Sequence, residues 1–165
     1  MKKFKYIFIA LILLFLATFI YQHYIYYKIP YNPLVELDSD TLNGFHFSEN
    51  HPHPNDTIKK STHNLNTTTR IFEYFSDLNL VPLKEKSNWD EIYNHGDIYY
   101  SGMFEFETSP TGYGTEVHIN EIWLDNLTIL RISSPRPKFK DGYYKIIDDK
   151  FDYEYINDLI TNSQN

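Results

Sequence analysis

The sequence predicts an α+β fold: an N-terminal transmembrane helix followed by a small antiparallel meander sheet with two helices packed on one face. Three observations support this prediction. The first is an uncharged, mainly apolar run over residues 6–21. The second is one amphipathic segment with helical spacing over residues 68–80. The third is a series of alternating segments, separated by turn residues, over residues 97–147.

Residues 1–28 have the composition of a membrane anchor. Lysines at positions 2, 3 and 5 precede the apolar core, and the stretch from Tyr6 to Ile25 reaches the roughly 20 residues that a spanning helix needs. Tyrosines at its far end suit the membrane–water interface, where the ring contacts lipid and the hydroxyl contacts headgroups. Because the lysines are concentrated before the span, we expect a single-pass protein of the cell membrane with a cytoplasmic N-terminus and an extracytoplasmic remainder.

A cleaved signal peptide is the alternative interpretation of this segment. Its basic start and short apolar core fit one, but Ala10 and Ala17 do not form the small-residue pair of a cleavage site. The residues after Ala17 are bulky and aromatic, so we prefer an uncleaved anchor. The chain has no cysteine, which excludes a lipidated cysteine and means that the outer domain folds without disulfides.

The charge of the chain argues against nucleic-acid binding. Four lysines and no acidic residue lie in residues 1–28, so the remaining 11 basic residues face 22 acidic ones and residues 29–165 carry a net charge of −11. A domain of that charge repels nucleic-acid phosphates and anionic headgroups. We expect two partners instead. The N-terminal helix contacts the membrane, and the outer domain contacts a protein of the cell envelope.

Residues 29–41 mix proline, asparagine and aspartate without periodicity and predict a stalk, so that the folded domain covers residues 42–165. Within the domain, the spacing of Ile71, Phe72, Phe75 and Leu78 predicts a helix with one buried face. The N-cap is expected at residues 66–68, where each side chain carries an acceptor oxygen.

The second half of the domain predicts about four antiparallel strands. In residues 97–108 the residues Tyr100, Phe104 and Phe106 share one face, while Glu105 and Glu107 share the other. Residues 109–114 predict one turn, and residues 125–126 predict another. A last helix is expected over residues 151–160, with its inward residues at Tyr155, Ile156, Leu159 and Ile160. The 15 tyrosines and 12 phenylalanines supply the core, because each buried ring removes about 150–250 Å² from water.

Four of the seven histidines lie in residues 45–63 and form the first candidate for a metal site. The candidate ligands are His46, His51, His53 and His63. None of them has the i, i+4 helical spacing or the short hairpin spacing that presets convergence on zinc, and two precede proline. We therefore prefer a surface loop between the first strand and the main helix, with a metal-binding or metal-dependent hydrolytic domain as the alternative.

Two further polar groups have ordinary structural explanations. Glu91 and His95 lie one turn apart if residues 87–96 are helical, but a short capped turn ending at Gly96 is the simpler interpretation. By period two, His118 and Glu116 share a strand face and Glu121 falls on the other. A polar pair between strands is the expected role of His118.

The sequence predicts no catalytic residue and no cofactor. It holds no nucleophile elbow, no H-E-x-x-H motif, no phosphate-binding glycine loop and no dinucleotide fingerprint. The basic loop, residues 133–140, stands out on an acidic domain, and Arg136, Lys138 and Lys140 are its candidate partner-binding residues. A small-ligand module with an aromatic pocket is the third alternative, permitted by the Tyr and Phe content.

The basic-apolar anchor, the segment TTTRIFEYFSDLNL and the antiparallel run ending in DGYYKIID resemble small uncharacterised membrane-attached proteins of low-GC Gram-positive bacteria. The resemblance covers about residues 42–160 in the order of elements. It implies a compact α+β domain held outside the membrane, with no functional residue transferred. Together with the missing motifs, it leads us to expect an accessory, sensory or immunity-type factor that acts by protein–protein contact without catalysis.

Overall fold

The computed structural model describes residues 2–107 and 116–163 and shows an N-terminal helix followed by an α+β domain. The helices are α1 (Lys2–Ile20), α2 (Leu65–Asp77), α3 (Trp89–Tyr93) and α4 (Tyr153–Asn162). The strands are β1 (Leu42–Asn50), β2 (Ile58–Thr62), β3 (Leu80–Leu83), β4 (Tyr99–Phe106), β5 (Glu116–Trp123), β6 (Ile129–Ser133) and β7 (Gly142–Ile146). The turn predicted at residues 109–114 lies outside the described residues.

The strands form one antiparallel sheet in the order β2-β1-β4-β5-β6-β7-β3, which confirms the predicted α+β class. The predicted meander is β4 to β7, where neighbours in sequence are neighbours in space. β1 corresponds to the predicted first strand and pairs with β4. Two strands are additional. β2 forms a hairpin with β1, within the stretch expected to be a loop, and β3 pairs with β7 at the opposite edge.

The N-terminal helix lies outside the domain. α1 continues through a π-helical turn and a 3-10 turn to Lys28. The most apolar part of Phe4–Lys28 has a mean hydropathy of 2.3, and 0% of that part is buried. By length and composition this helix can cross a membrane, a property it shares with signal sequences. It meets the domain at its end, where the Tyr26 ring lies 6.1 Å from that of Tyr31.

One face of the sheet carries the main core, against which α2 and α4 pack as predicted. Phe45, Phe104 and Phe75 meet there, with the Phe45 and Phe104 ring centroids 4.6 Å apart. From α4, Ile156, Leu159 and Ile160 join the same cluster. Aromatic rings therefore fill the space between the sheet and the two helices.

The two main helices differ from their predictions at particular residues. α2 begins at Leu65 and not in the predicted 66–68 region, because the Asn64 side chain accepts from Thr67 N and supplies the N-cap. The Asp152 side chain accepts from Tyr155 N and caps α4 in the same way. Tyr155, predicted to face inwards, is 37% exposed, so that part of the prediction is wrong.

Residues 29–41 pack against the domain, where the sequence predicted a stalk. Leu34 is completely buried in the main core, and Tyr31 N donates to Leu80 O on β3 at 2.7 Å. The buried Asn32 amide donates to Phe75 O at 2.7 Å and to other carbonyls at the end of α2. Those carbonyls have no partner within the helix, so Asn32 closes its C-terminal end. This segment is therefore part of the domain.

Among the residues that the structure describes, only those at one end of the sheet cover its second face. There α3 places Ile92 against Ile129, Tyr143 and Leu83, which form a small separate cluster. These residues alternate along their strands with members of the main core, which places α3 on the opposite side of the sheet from α2 and α4. The part of this surface on β1, β4 and β5 carries polar, half-exposed side chains, and we call it the open face.

Candidate functional site

The open face brings two of the four candidate histidines together. His46 Nε2 lies 2.9 Å from Glu105 Oε1, and His63 Nε2 lies 3.7 Å from Glu105 Oε2. The two imidazole rings are perpendicular, with their centroids 5.7 Å apart. One ligand atom from each of the three residues lies within 4.8 Å of the other two. We call His46, His63 and Glu105 the His–Glu cluster.

The strand pairing explains why these residues meet. His46 on β1 lies opposite Met103 on β4, so Glu105, two residues further along β4, shares its face. His63 directly follows β2, whose Thr62 lies opposite Phe45 of β1. The pairing of β1 with β2 and the pairing of β1 with β4 thus bring three side chains together, although His46 and Glu105 are 59 residues apart in the sequence.

Gly44 provides the space in which the cluster forms. A Cβ atom at this position would lie 3.0 Å from His63 Cδ2 and 3.3 Å from both His63 Nε2 and Glu105 Oε2. The register between β1 and β4 also shifts between Leu42 and Gly44. A larger residue here would push His63 and the carboxylate apart, so the glycine is matched to their approach.

The other two histidines of the segment lie elsewhere. His51 Nε2 pairs with Glu49 Oε1 at 2.9 Å, and His53 lies exposed before the 3-10 turn Pro54–Asp56. A site made by all four histidines is therefore not formed. The sequence identified His46 and His63 as candidates. For Glu105 it predicted only a position on the polar face of an alternating strand, and no local pattern placed that residue next to the histidines.

A second histidine–carboxylate pair lies on the same face. His118 lies opposite Met103, and its Nε2 atom is 3.3 Å from Glu116 Oε2. His118 and Glu116 thus share a face of the sheet, as period two predicted, but both lie on β5, so this polar pair is within one strand and not between strands. Glu116 is also the cross-strand partner of Glu105, so two carboxylates occupy facing positions on neighbouring strands.

A bulge in β5 overturns the expectation for Glu121. Between the pairs Gly102–Ile119 and Tyr100–Ile122, two residues of β5 oppose one of β4, and Glu121 has a φ of 57°. The bulge brings Glu121 to the face of Tyr143, whose hydroxyl donates to Glu121 Oε2 at 2.6 Å. Burial and this hydrogen bond raise the pKa of Tyr143 above its usual value. Glu121 therefore lies on the same side of the sheet as α3, where it contacts Tyr143.

His95 has a structural role. Its side chain is 8% exposed, its Nδ1 atom lies 3.2 Å from Asp125 Oδ1, and its ring stacks on Trp123 at 5.7 Å. Its Nε2 atom lies 2.5 Å from Glu91 O, while the Glu91 carboxylate pairs with Lys145. These contacts agree with the capped turn as the interpretation of residues 87–96.

The basic loop is an ordered segment. Ser134 Oγ donates to Glu116 O at 2.7 Å, and Tyr144 Oη donates to Lys140 O at 2.6 Å. The Arg136 guanidinium lies 4.1 Å from the centre of the Phe106 ring, and burial lowers its pKa. Lys138 and Lys140 are exposed, and Lys138 has a φ of 67°. Of the three candidate partner-binding residues, two thus project into solvent and one is held on the core.

Comparison of the chain with protein-family models, with curated proteins and with solved structures finds no match. The arguments about function therefore rest on the geometry of the described residues.

Proposed function

We propose that the protein is a single-pass membrane protein whose domain lies outside the cytoplasm and acts by protein–protein contact, without catalysis. In this proposal α1 and its continuation to Lys28 span the cell membrane. The three lysines at its start hold the N-terminus in the cytoplasm, because basic residues are retained on that side.

One observation carries the proposal: the apolar helix is separate from a domain that already has a closed core. None of the most apolar window of Phe4–Lys28 is buried, while residues 32–37, α2 and α4 cover the apolar face of the sheet. An apolar surface of that size is unfavourable in water and needs a membrane or a partner. A lipid bilayer surrounds such a helix with apolar chains along its whole length.

The basic loop is the surface that we assign to the partner. Its exposed lysines, Lys138 and Lys140, contrast with the net charge of −11 on residues 29–165. Ser134 Oγ donates to Glu116 O on β5, and Tyr144 Oη on β7 donates to Lys140 O in the loop. These bonds fix the loop, so little conformational entropy is lost when it binds. An envelope protein with an acidic surface is the partner that this arrangement suits.

A small-ligand module is less well supported. The buried rings of Phe45, Phe75, Phe104 and Phe151 contact one another, so they do not line a pocket. A cleft between α2 and α4 is lined mainly by polar side chains, among them Arg70 and Asp158, and is open to solvent. Binding sites for small molecules are usually concave and mostly apolar.

Photo-cross-linking in intact cells tests the proposal. A photoreactive amino acid replaces Lys138 in the full chain, and the matched control replaces Lys150, an exposed lysine between β7 and α4. We expect a discrete cross-linked species from position 138 that the control does not give. Equal cross-linking from both positions, or none from position 138, would contradict a partner at the basic loop.

Membrane orientation is tested separately with a cysteine-reactive reagent that does not cross membranes. Because the chain has no cysteine, a single cysteine introduced at Lys150 reports only on that site. We expect labelling in intact cells. Labelling only after lysis would place the domain in the cytoplasm and overturn the proposed topology.

A further inference from the structure

We propose that the His–Glu cluster is a binding site for a divalent transition-metal ion, with Zn²⁺ as its ligand. The ligands are His46 Nε2, His63 Nε2 and one carboxylate oxygen of Glu105. This inference does not depend on the proposed protein contact, because no residue of the His–Glu cluster belongs to the basic loop.

The distances are close to those of a tetrahedral zinc site. Ligands about 2.0–2.1 Å from zinc lie about 3.4 Å from one another. In the cluster, the His46–Glu105 distance is 2.9 Å, the His63–Glu105 distance is 3.7 Å, and every separation is within 4.8 Å. Moving one side chain by about 1 Å completes the geometry, and the 61% exposure of the His63 side chain leaves it free to make that movement.

The kinds of ligand favour zinc over calcium or magnesium. Two imidazoles and one carboxylate match the nitrogen and oxygen ligands that zinc binds, whereas calcium and magnesium prefer oxygen ligands alone. The side chains of His46 and Glu105 are 37% and 31% exposed, so the fourth position of the ion faces solvent. Structural zinc sites are closed by four protein ligands, so three ligands leave one position that water can occupy.

The charges on the open face provide a second, independent reason for a cation. Glu105 and Glu116 occupy facing positions on β4 and β5, and like charges at such positions repel. In the part of the chain that the structure describes, the ion pairs of both carboxylates are with histidines, which are charged only when protonated. Residues 108–115, which connect the two strands, contain no charged side chain. A bound dication relieves this repulsion.

The backbone is also adapted to the site. The contact distances at Gly44 show that His63 and Glu105 approach through the space that a side chain would occupy. The rest of the cluster is fixed by two strands paired over several residues, so His46 and Glu105 keep their relative positions without the ion. A preorganised pair of ligands lowers the entropic cost of binding.

The test measures metal binding by the full chain, purified in detergent micelles without a histidine tag and freed of metal with a chelator. Co²⁺ serves as the spectroscopic probe, because a tetrahedral nitrogen–oxygen site gives visible absorption, and Zn²⁺ is then titrated in competition. We expect one Co²⁺ per chain and its displacement by Zn²⁺. Absence of binding, or absorption typical of an octahedral aquo ion, would overturn the proposal.

Variants locate the ion. His46→Ala, His63→Ala and Glu105→Gln are each expected to weaken Zn²⁺ binding by at least about tenfold. His118→Ala and His53→Ala are matched controls, since one histidine lies on the same face and the other in the neighbouring loop. Both controls are expected to bind like the parent chain. A loss of binding in either control, or its retention in all three ligand variants, would contradict the assignment.

Gly44→Ala tests the geometry while keeping every ligand. The added methyl group lies 3.0 Å from His63 Cδ2, so we expect weaker binding in a folded protein. Circular dichroism checks that each variant retains its fold. Unchanged Zn²⁺ affinity in Gly44→Ala would show that the ion is not held by His63 and Glu105 together.

Discussion

The two faces of the sheet are formed by the same strands but differ in the residues that they carry. On β4, Phe104 is completely buried against α2, while the neighbouring Glu105 is about one third exposed on the open face. The first face is filled with interlocking rings, and the second carries histidines, carboxylates and serines in cross-strand rows. Stability is concentrated on the first face, so the second is free to carry function, as in many antiparallel sheets.

Removing a ring from the filled face is the largest expected perturbation. Phe104→Ala should lower the free energy of unfolding by about 3–5 kcal/mol, because the residue is fully buried among Phe45, Phe72 and Phe75 and leaves a cavity. Denaturant unfolding followed by tryptophan fluorescence measures it, since both tryptophans lie in the domain.

The matched control is Met103→Ala, one residue earlier and on the open face. It should cost less than half as much, because its half-buried side chain has solvent on one side. Equal losses for the two variants would mean that the two faces do not differ in their contribution to stability.

A methyl group added at the filled face should also destabilise the domain. Gly102 lies beneath the Phe45 ring, and a Cβ atom there would be 2.8 Å from Phe45 Cζ. We expect Gly102→Ala to cost about 2 kcal/mol, measured by the same denaturant titration, since a closely packed ring must move. Gly142→Ala is the control, with its nearest neighbour at 3.9 Å, and it should change stability by less than about 0.5 kcal/mol. An unchanged free energy of unfolding for Gly102→Ala would show that the Phe45 ring can move without cost.

Asn32 tests whether residues 29–41 belong to the filled side. Asn32→Ala removes the donor to the carbonyls at the end of α2 and the acceptor for Leu34 N. We expect a loss of about 1.5 kcal/mol by thermal or denaturant unfolding, because buried polar groups remain without partners. Asn55→Ala, at an exposed turn, is the control and should have little effect. Equal unfolding free energies for the two variants would show that residues 29–41 form a stalk and do not stabilise the domain.

The smallest effect at neutral pH is that of the buried tyrosine hydroxyls, because it appears only in alkali. Burial raises the pKa of Tyr100 to about 12 and that of Tyr74 to about 12. An unfolded tyrosine titrates near pH 10, so between about pH 10 and 12 the unfolded chain releases protons that the folded domain retains. The contribution of these two tyrosines to stability should therefore be constant below about pH 10 and decrease as the pH rises towards 12. Tyr100→Phe should make that decrease shallower; an identical pH profile would contradict the burial of this hydroxyl.

Much of the filled face could be predicted from the sequence, and the open face could not. The helical spacing of Ile71, Phe72 and Phe75 and the alternation on β4 are local patterns, and the structure confirms both. The His–Glu cluster requires the pairing of β1 with β2 and with β4, which depends on register. A shift by one residue would move Glu105 to the other face, and no local pattern records it.

The unpredicted elements have the same cause. β2 and β3 are short, and their sequences, IKKST and LVPL, show little or no alternation of their own. They are strands because an edge of a longer strand is available to pair with them. The β5 bulge likewise becomes visible only when Asn120 and Glu121 are set against the shorter spacing of β4.

The sequence by itself determined the α+β class, the apolar N-terminal helix, α2 and the meander, because each depends on residue types repeated within a few turns or one strand. Only the tertiary structure decided that Leu34 belongs to the core and that His46 and His63 meet at Glu105. Those contacts join residues far apart in the chain, and their free energy depends on strand register and on the space left by Gly44.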